Sequence, residues 1–188
     1  MTIVGIGHVA RVGKDVAATA LSRDLGFQRR AFADKLRELA LEADPIVTAS
    51  TQATNIGVGR GRLAWVVQGI GWEEAKNVYP EVRKFLQDLG VGARKVFGED
   101  FWVKQAVEGI RKGQDVVFSD VRFHSEAEAL QALGGKLIRI DRPGRVAEGH
   151  VSETALAGFD GWDAVIVNDG TVQDLEAKVV AQVKEWQK

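Results

Sequence analysis

Ile3-Val4-Gly5-Ile6-Gly7-His8-Val9-Ala10-Arg11-Val12-Gly13-Lys14-Asp15 is the stretch on which the fold turns. Its first residues are a short apolar run, its last three close a glycine-lysine turn, and residues 15–25 beyond it read as a helix. A buried strand that passes through such a loop into a helix is a cradle for polyphosphate. Loop N–H groups point at the anion, the helix N-terminus adds partial positive charge, and the lysine reaches the outer phosphates. Gly13 permits close backbone approach and Lys14 supplies the ammonium, while His8 and Asp15 stand where the usual pattern has Gly and Ser or Thr.

The same residues admit a second reading. Gly5-Ile6-Gly7-His8-Val9-Ala10 fits the dinucleotide pattern G-x-G-x-x-A, and Arg29-Arg30, some way downstream, are placed to meet a 2′-phosphate. This would make the chain an NADP-binding oxidoreductase. It leaves only residues 2–4 as strand, however, and nothing downstream resembles a hydride-transfer site.

Apolar runs recur at residues 116–118, 137–140 and 164–167, and a short strand near 28–32 would make five. Residues 34–43, 81–89, 101–110, 125–133 and 174–186 between and after them read as helices. Such alternation predicts an α/β protein in three layers, α/β/α, around a five-stranded parallel sheet. Residues 44–62, rich in Thr, Ala, Gly and Asn, read as an irregular connection, long enough to be functional. A second irregular piece, 142–150, carries Arg142, Arg145 and His150 and is a candidate lid.

At 188 residues and 45% hydrophobic content, one domain with a full core and a mobile arm is expected. With no cysteine there is neither a disulfide nor a thiolate metal site, and His8, His124 and His150 are too scattered for a zinc cluster. A hard ion held by oxygen, such as magnesium, fits better. No secretory leader or bilayer-length apolar run is evident, so a cytoplasmic protein without membrane partners is expected. A net charge of −1 disfavours a nucleic-acid surface, yet Arg60, Arg62, Arg83, Arg94, Arg122, Arg139, Arg142 and Arg145 suffice for a local anion site.

Candidate chemistry lies at the ends of these elements. Asp120 and Arg122 follow the run 116–118, on the edge where open parallel sheets bind ligands. The carboxylate suits magnesium, although such an aspartate also caps helices. Arg83 and Gln87 share a helix face, where guanidinium grips phosphate and carboxamide meets a base edge, although a polar pair of this kind is also what a solvated face looks like. Trp102 is either a base-stacking ring or core. Asp34 favours a helix dipole without needing another role, which leaves Arg37 as the more informative neighbour.

Together, Gly13-Lys14-Asp15, Phe32-Ala33-Asp34, Arg83, Leu86 through Gly90, Trp102-Val103-Lys104, Asp120-Val121-Arg122, Arg142-Pro143-Gly144, His150 through Glu153 and Asn168-Asp169-Gly170 resemble the bacteriophage deoxynucleoside monophosphate kinases. These are a branch of the P-loop nucleoside monophosphate kinases, in which aspartate after the loop lysine is usual. The resemblance spans most of the chain and implies a single P-loop kinase domain, with a mobile monophosphate-binding arm at 44–90 and a lid at 142–152. It implies transfer of the ATP γ-phosphoryl group to a deoxynucleoside monophosphate (dNMP), with magnesium. In this reading Arg11, Val12, Gly13, Lys14, Asp15 and Val16 hold ATP, Arg142 closes over it, and Asn168, Asp169 and Gly170 border the adenine. Asp15 and Asp120 anchor the metal, with Lys14, Arg122 and Arg142 beside them at the reacting phosphates. Asp34, Arg37, Arg83, Gln87, Arg94 and Trp102 serve the dNMP. If phage-encoded, the protein works in the cytoplasm of an infected bacterium, and a homodimer is left open. The competing classes are the oxidoreductase and a nucleotide-binding module without catalysis.

Overall fold

The computed structural model describes residues 1–49, 59–145 and 154–188. They form two compact units, the first made of Met1–Phe32 with Val103–Lys188 and the second of Ala33–Trp102.

The first unit is built on a five-stranded parallel sheet in the order β2-β5-β1-β6-β7. Its strands are β1 (Ile3–Gly7), β2 (Gln28–Arg30), β5 (Val116–Val121), β6 (Lys136–Asp141) and β7 (Ala164–Val167). Strand alternation divides the core. Val4, Ile6, Val117, Ile138 and Ile140 face one way, packed with Ala17 and Leu21 of α1 (Lys14–Leu25) and Leu175, Val179 and Val183 of α7 (Val172–Trp186). Ile3, Val116, Phe118 and Leu137 face the other, with Ala127 and Leu130 of α6 (His124–Ala132). Three layers result, as expected. Gly5 is needed where it stands, because a Cβ there would lie 2.7 Å from both Leu130 Cδ1 and Leu137 Cδ2. Thr171 caps α7, its hydroxyl accepting from the Asp174 N–H at 3.2 Å.

Strand β1 is central, and the chain leaves it first toward β5 and β2, then toward β6 and β7. The crevice at its C-terminal end is therefore the switch point where open α/β sheets bind ligands.

In the second unit, α2 (Ala33–Ala43), α3 (Leu63–Val78) and α4 (Pro80–Phe97) close over Ala40, Val47, Leu63, Val66, Ala75, Tyr79 and Val82. Three expectations need correction here. The stretch 44–62 is not wholly irregular, since β3 (Ile46–Thr48) pairs antiparallel with β4 (Arg60–Arg62); residues 50–58 lie outside the described ones. Helix α3 was not expected at all. Gly69 and Gly71 interrupt its periodicity, and Gly71, at φ 74°, does kink it. Helix α4 also runs past residue 89, through Gly90 and Gly92, to Phe97. The short helix α5 (Phe101–Val107) carries the chain from the second unit to the first.

Most of the expected lid, residues 146–152, and the segment His150 through Glu153 lie outside the described residues. Among the described residues, no helix is long and apolar enough to cross a membrane.

Candidate active site

The loop between β1 and α1 is built from backbone conformations that most residues avoid. Gly13 sits at φ 107°, and the non-glycine residues His8 and Arg11 take φ 93° and 60°. Left-handed conformations at such residues cost roughly 1–3 kcal/mol each and collect at functional sites. Gly13 is indispensable twice over: its φ is positive, and a Cβ would come within 2.6 Å of Leu175 Cδ2. Lys14, at 8% exposure, turns back into the loop, where Nζ donates to the His8 carbonyl at 2.9 Å and to the Val9 carbonyl. The ammonium is thus held inside the curve of its own loop.

Other elements brace this cradle. Asn168, just past β7, donates its amide to the Val12 carbonyl at 2.8 Å. Asp169 instead pairs with Lys178 at 2.7 Å on the surface, which holds its carboxyl below the usual range, and Gly170 packs against Asp174. His8 Nδ1 lies 2.9 Å from Asp141 Oδ1, a close approach rather than a bond, since that nitrogen is buried without a bonded partner. Burial first, then the Arg139 guanidinium, lowers the His8 pKa despite the Asp141 carboxylate, so the imidazole is neutral at pH 7. Arg139 grips Asp141 with two bonds of 2.7 and 2.8 Å. Beside them, His8, Val9, Arg139, Asp141 and the turn 142–145, with Arg142 at its start, line a cleft of about 360 Å³.

Asp15 opens α1 with its side chain 78% exposed, and its carboxylate receives the Arg29 guanidinium. Asp120, near the end of β5, accepts the Phe32 N–H at 2.8 Å. Two residues on, the Arg122 N–H donates to Glu126 Oε2 at 2.7 Å, and Phe123 N–H to the same oxygen at 3.1 Å. Glu126 is buried, and desolvation, with the Asp120 charge second, pushes its pKa up to about 8. Val12 is fully buried, Val16 packs against the core, and Arg11 is exposed.

The residues expected to serve the dNMP lie in the second unit. Arg37 pairs with Asp34 across one turn of α2 at 3.7 Å, and Arg83 and Gln87 stand four apart on α4. Glu73 of α3 lies within electrostatic reach of both Arg37 and Arg83: its pKa is held below the usual range chiefly by a hydrogen bond from Lys76, and the charges of the two arginines add weakly to that pull. Arg94 is paired with Glu99. Trp102 is buried, stacks edge-on with Phe101 at 4.8 Å and donates its indole N–H to the Gly90 carbonyl at 2.9 Å, which fixes the ring's orientation.

Several of these contributors were not read from the sequence. Glu126 follows Phe123 rather than a Ser or Thr cap, so the usual capping signature is missing. Glu73 looks like an ordinary i,i+3 partner of Lys76, and the reach of Asn168 into the loop spans 156 positions. Of the two arginines considered for a 2′-phosphate, Arg30 is engaged on the Ala106, Glu108 and Gly109 carbonyls at 3.1, 2.9 and 3.1 Å, which takes away one of that reading's two cations.

A glycine-lysine loop wrapped around a buried ammonium, at the switch point of a parallel sheet, defines a P-loop protein. A sequence profile for deoxynucleotide monophosphate kinase matches residues 72–179. A protein of Acanthamoeba polyphaga mimivirus bearing that kinase's name is 29% identical, over 97% of this chain and 96% of its own. The deoxynucleotide monophosphate kinase of Enterobacteria phage T4 is 32% identical over 55% of this chain and 45% of its own. Among solved structures, the dephospho-CoA kinase from Campylobacter jejuni aligns over 97% of this chain and 96% of its own, at 19% identity and a TM-score of 0.43. The chain belongs to the deoxynucleotide monophosphate kinase family.

Proposed function

We propose that the protein transfers the γ-phosphoryl group of ATP to the 5′-phosphate of a deoxynucleoside monophosphate, yielding the diphosphate and ADP. An oxygen of the acceptor phosphate attacks the γ-phosphorus as the bond to the β–γ bridging oxygen breaks, and ADP departs with that electron pair. The observation that carries this reading is Lys14, buried and bonded to the His8 and Val9 carbonyls inside a glycine-lysine loop of left-handed backbone conformations at the end of β1. A triphosphate offers Lys14 oxygens of full negative charge in exchange for neutral carbonyls, a stronger class of bond.

Family membership implies ATP and, typically, magnesium. The donor set suits that ion in kind: Asp15 is an exposed carboxylate beside the lysine and Asp120 a second one near a strand end, both hard oxygen ligands. Asp15 and Asp120 would hold it. Bound there, magnesium would neutralise charge on the transferring phosphate.

Positioning and charge do the remaining work. On the donor side, Arg11 through Val16 wrap the phosphates, Arg142 closes over them beside the 360 Å³ cleft, and Asn168, Asp169 and Gly170 border the base, with Asn168 also fixing the loop. Arg122, braced through Glu126, faces the transferring group. On the acceptor side Arg37 and Arg83 take the monophosphate, supported by their shared influence on Glu73, while Asp34 orients Arg37. Gln87 reads the base, the fixed Trp102 ring forms the pocket wall, and Arg94 assists. Incubation with ATP, magnesium and each of the four dNMPs in turn tests this: diphosphate and ADP are expected with at least one. Absence of product with all four, alongside ordinary ATP binding, would indicate a binding module instead.

A further inference from the structure

Arg29 has no part in the kinase reading above, yet its side chain meets the carboxylate that follows Lys14. It lies on β2, paired in register with Val117 of β5, and its guanidinium contacts two groups. One is the Asp15 carboxylate, directly after Lys14 in the chain. The other is the Ser119 hydroxyl, at 3.4 Å from Nε and 3.3 Å from Nη2. Ser119 is only 3% exposed, so the hydroxyl that Arg29 contacts is a buried one.

Stability does not explain this arrangement. The Arg29 and Asp15 side chains are 41% and 78% exposed, and ion pairs open to water in this way contribute little to folding. Arg30 shows the contrast. Its guanidinium is committed to main-chain carbonyls at the end of α5, a structural cap, whereas Arg29 rests on one carboxylate and one long-range hydroxyl contact. A guanidinium is permanently charged and presents a planar fork of donors that matches phosphate oxygens.

We infer that Arg29 is an active-site arginine whose guanidinium competes with the divalent cation for Asp15 and, once displaced, grips oxygens of the reacting phosphates. The inference rests on the kinase reading above, in which Asp15 is a metal ligand. Its logic is charge exchange. Arg29 neutralises a carboxylate that would otherwise repel the incoming triphosphate, and the metal takes over that carboxylate. The cation thereby released already stands one residue from the phosphate lysine, tethered near Ser119. Catalytic help is then available only after metal loading.

Two readouts on Arg29→Gln test this. Binding of Mn²⁺ to the nucleotide-free protein, followed by electron paramagnetic resonance, tightens roughly two- to fivefold when the competing cation is removed, the range set by an exposed pair. Adding Asp15→Asn abolishes that gain. Turnover at saturating Mg·ATP and acceptor falls roughly 10- to 100-fold, and Arg29→Lys, which keeps charge but not the fork, restores only part of it. Unchanged Mn²⁺ affinity, or turnover within threefold of wild type, overturns the inference. A wild-type protein that makes no diphosphate from any dNMP overturns the kinase reading along with it, whereas an active wild type with an unaffected variant overturns Arg29's role alone. Circular dichroism melting of each variant separates these results from misfolding, since loss of the pair leaves the melting temperature nearly unchanged.

Discussion

Lys14, Ser119 and Glu126, the buried polar side chains among the described residues, all belong to the first unit, whereas Arg37, Arg83 and Arg94 of the second lie on exposed or half-exposed helix faces. In the proposed function the first unit would bind with its backbone, through a loop of forced conformations braced by Asn168 and threaded by one lysine. In that reading the second would bind with long side chains carried on helices, where Asp34 pairs with Arg37 and Glu73 feels the charges of Arg37 and Arg83. A rigid cradle suits a triphosphate common to every turnover, and adjustable guanidinium groups suit an acceptor whose base varies. If this division is right, substitutions in the two units separate cleanly in kinetics.

The largest separation is expected at the lysine. Lys14→Ala removes the one ammonium inside the loop and should lower kcat roughly 10²- to 10³-fold with every acceptor, the scale of losing a preorganised electrostatic donor. Steady-state rates with all four dNMPs check it. A loss confined to one acceptor would break the comparison, because it would place Lys14 in acceptor recognition.

Glu126 tests the burial half of the contrast through pH. The folded protein holds its proton up to about pH 8, whereas the unfolded chain releases it near 4.5, so folding takes up a proton between those values. The stabilisation is therefore complete below pH 4.5 and is lost as pH rises toward 8. Chemical denaturation from pH 5 to 9 should show this contribution falling by about 4 kcal/mol, and Glu126→Gln, which stays neutral, should remove that slope. A variant with the same slope as wild type would mean that the carboxyl is ionised throughout.

What the sequence made legible follows the same line. Backbone recognition demands particular residues at particular spacings, so Gly13 and Lys14 announced the cradle, and short, nearly continuous apolar runs announced β1, β5, β6 and β7. Helix-borne recognition leaves weaker marks. Arg83 and Gln87 look like any solvated pair four residues apart, and Glu73 means nothing until α3 is known to exist. That helix was hidden because Gly69 and Gly71 break its pattern, while Trp65 and Ile70, both exposed, blur which face is apolar. Contacts between distant positions, Asn168 on Val12 and Arg29 on Ser119, require the sheet order first.

On the acceptor side, Arg83→Ala should weaken use of the dNMP roughly 10- to 150-fold, corresponding to one charge-assisted bond of about 1.5–3 kcal/mol. The measurement is the KM for each dNMP beside the KM for ATP. Only the former should move, and an equal shift in both would dissolve the distinction between a donor unit and an acceptor unit.

Asn168→Ala probes the finest level of the contrast. Its amide bonds the Val12 carbonyl at 2.8 Å and lies 3.0 Å from where a Cβ on Gly13 would stand, so it braces the loop from outside without filling the space that Lys14 occupies. Removing one neutral hydrogen bond should cost about 1 kcal/mol of stability. The loop retains its other constraints, the positive φ of Gly13 and the bonds from Lys14, so it should loosen rather than collapse. The kinetic signature is a rise of roughly two- to fivefold in the KM for ATP, the equivalent of a loss of up to about 1 kcal/mol, with dNMP KM unchanged. A rise in dNMP KM of equal size would show that bracing the cradle also orders the acceptor helices, and the two modes of recognition would then be one coupled device.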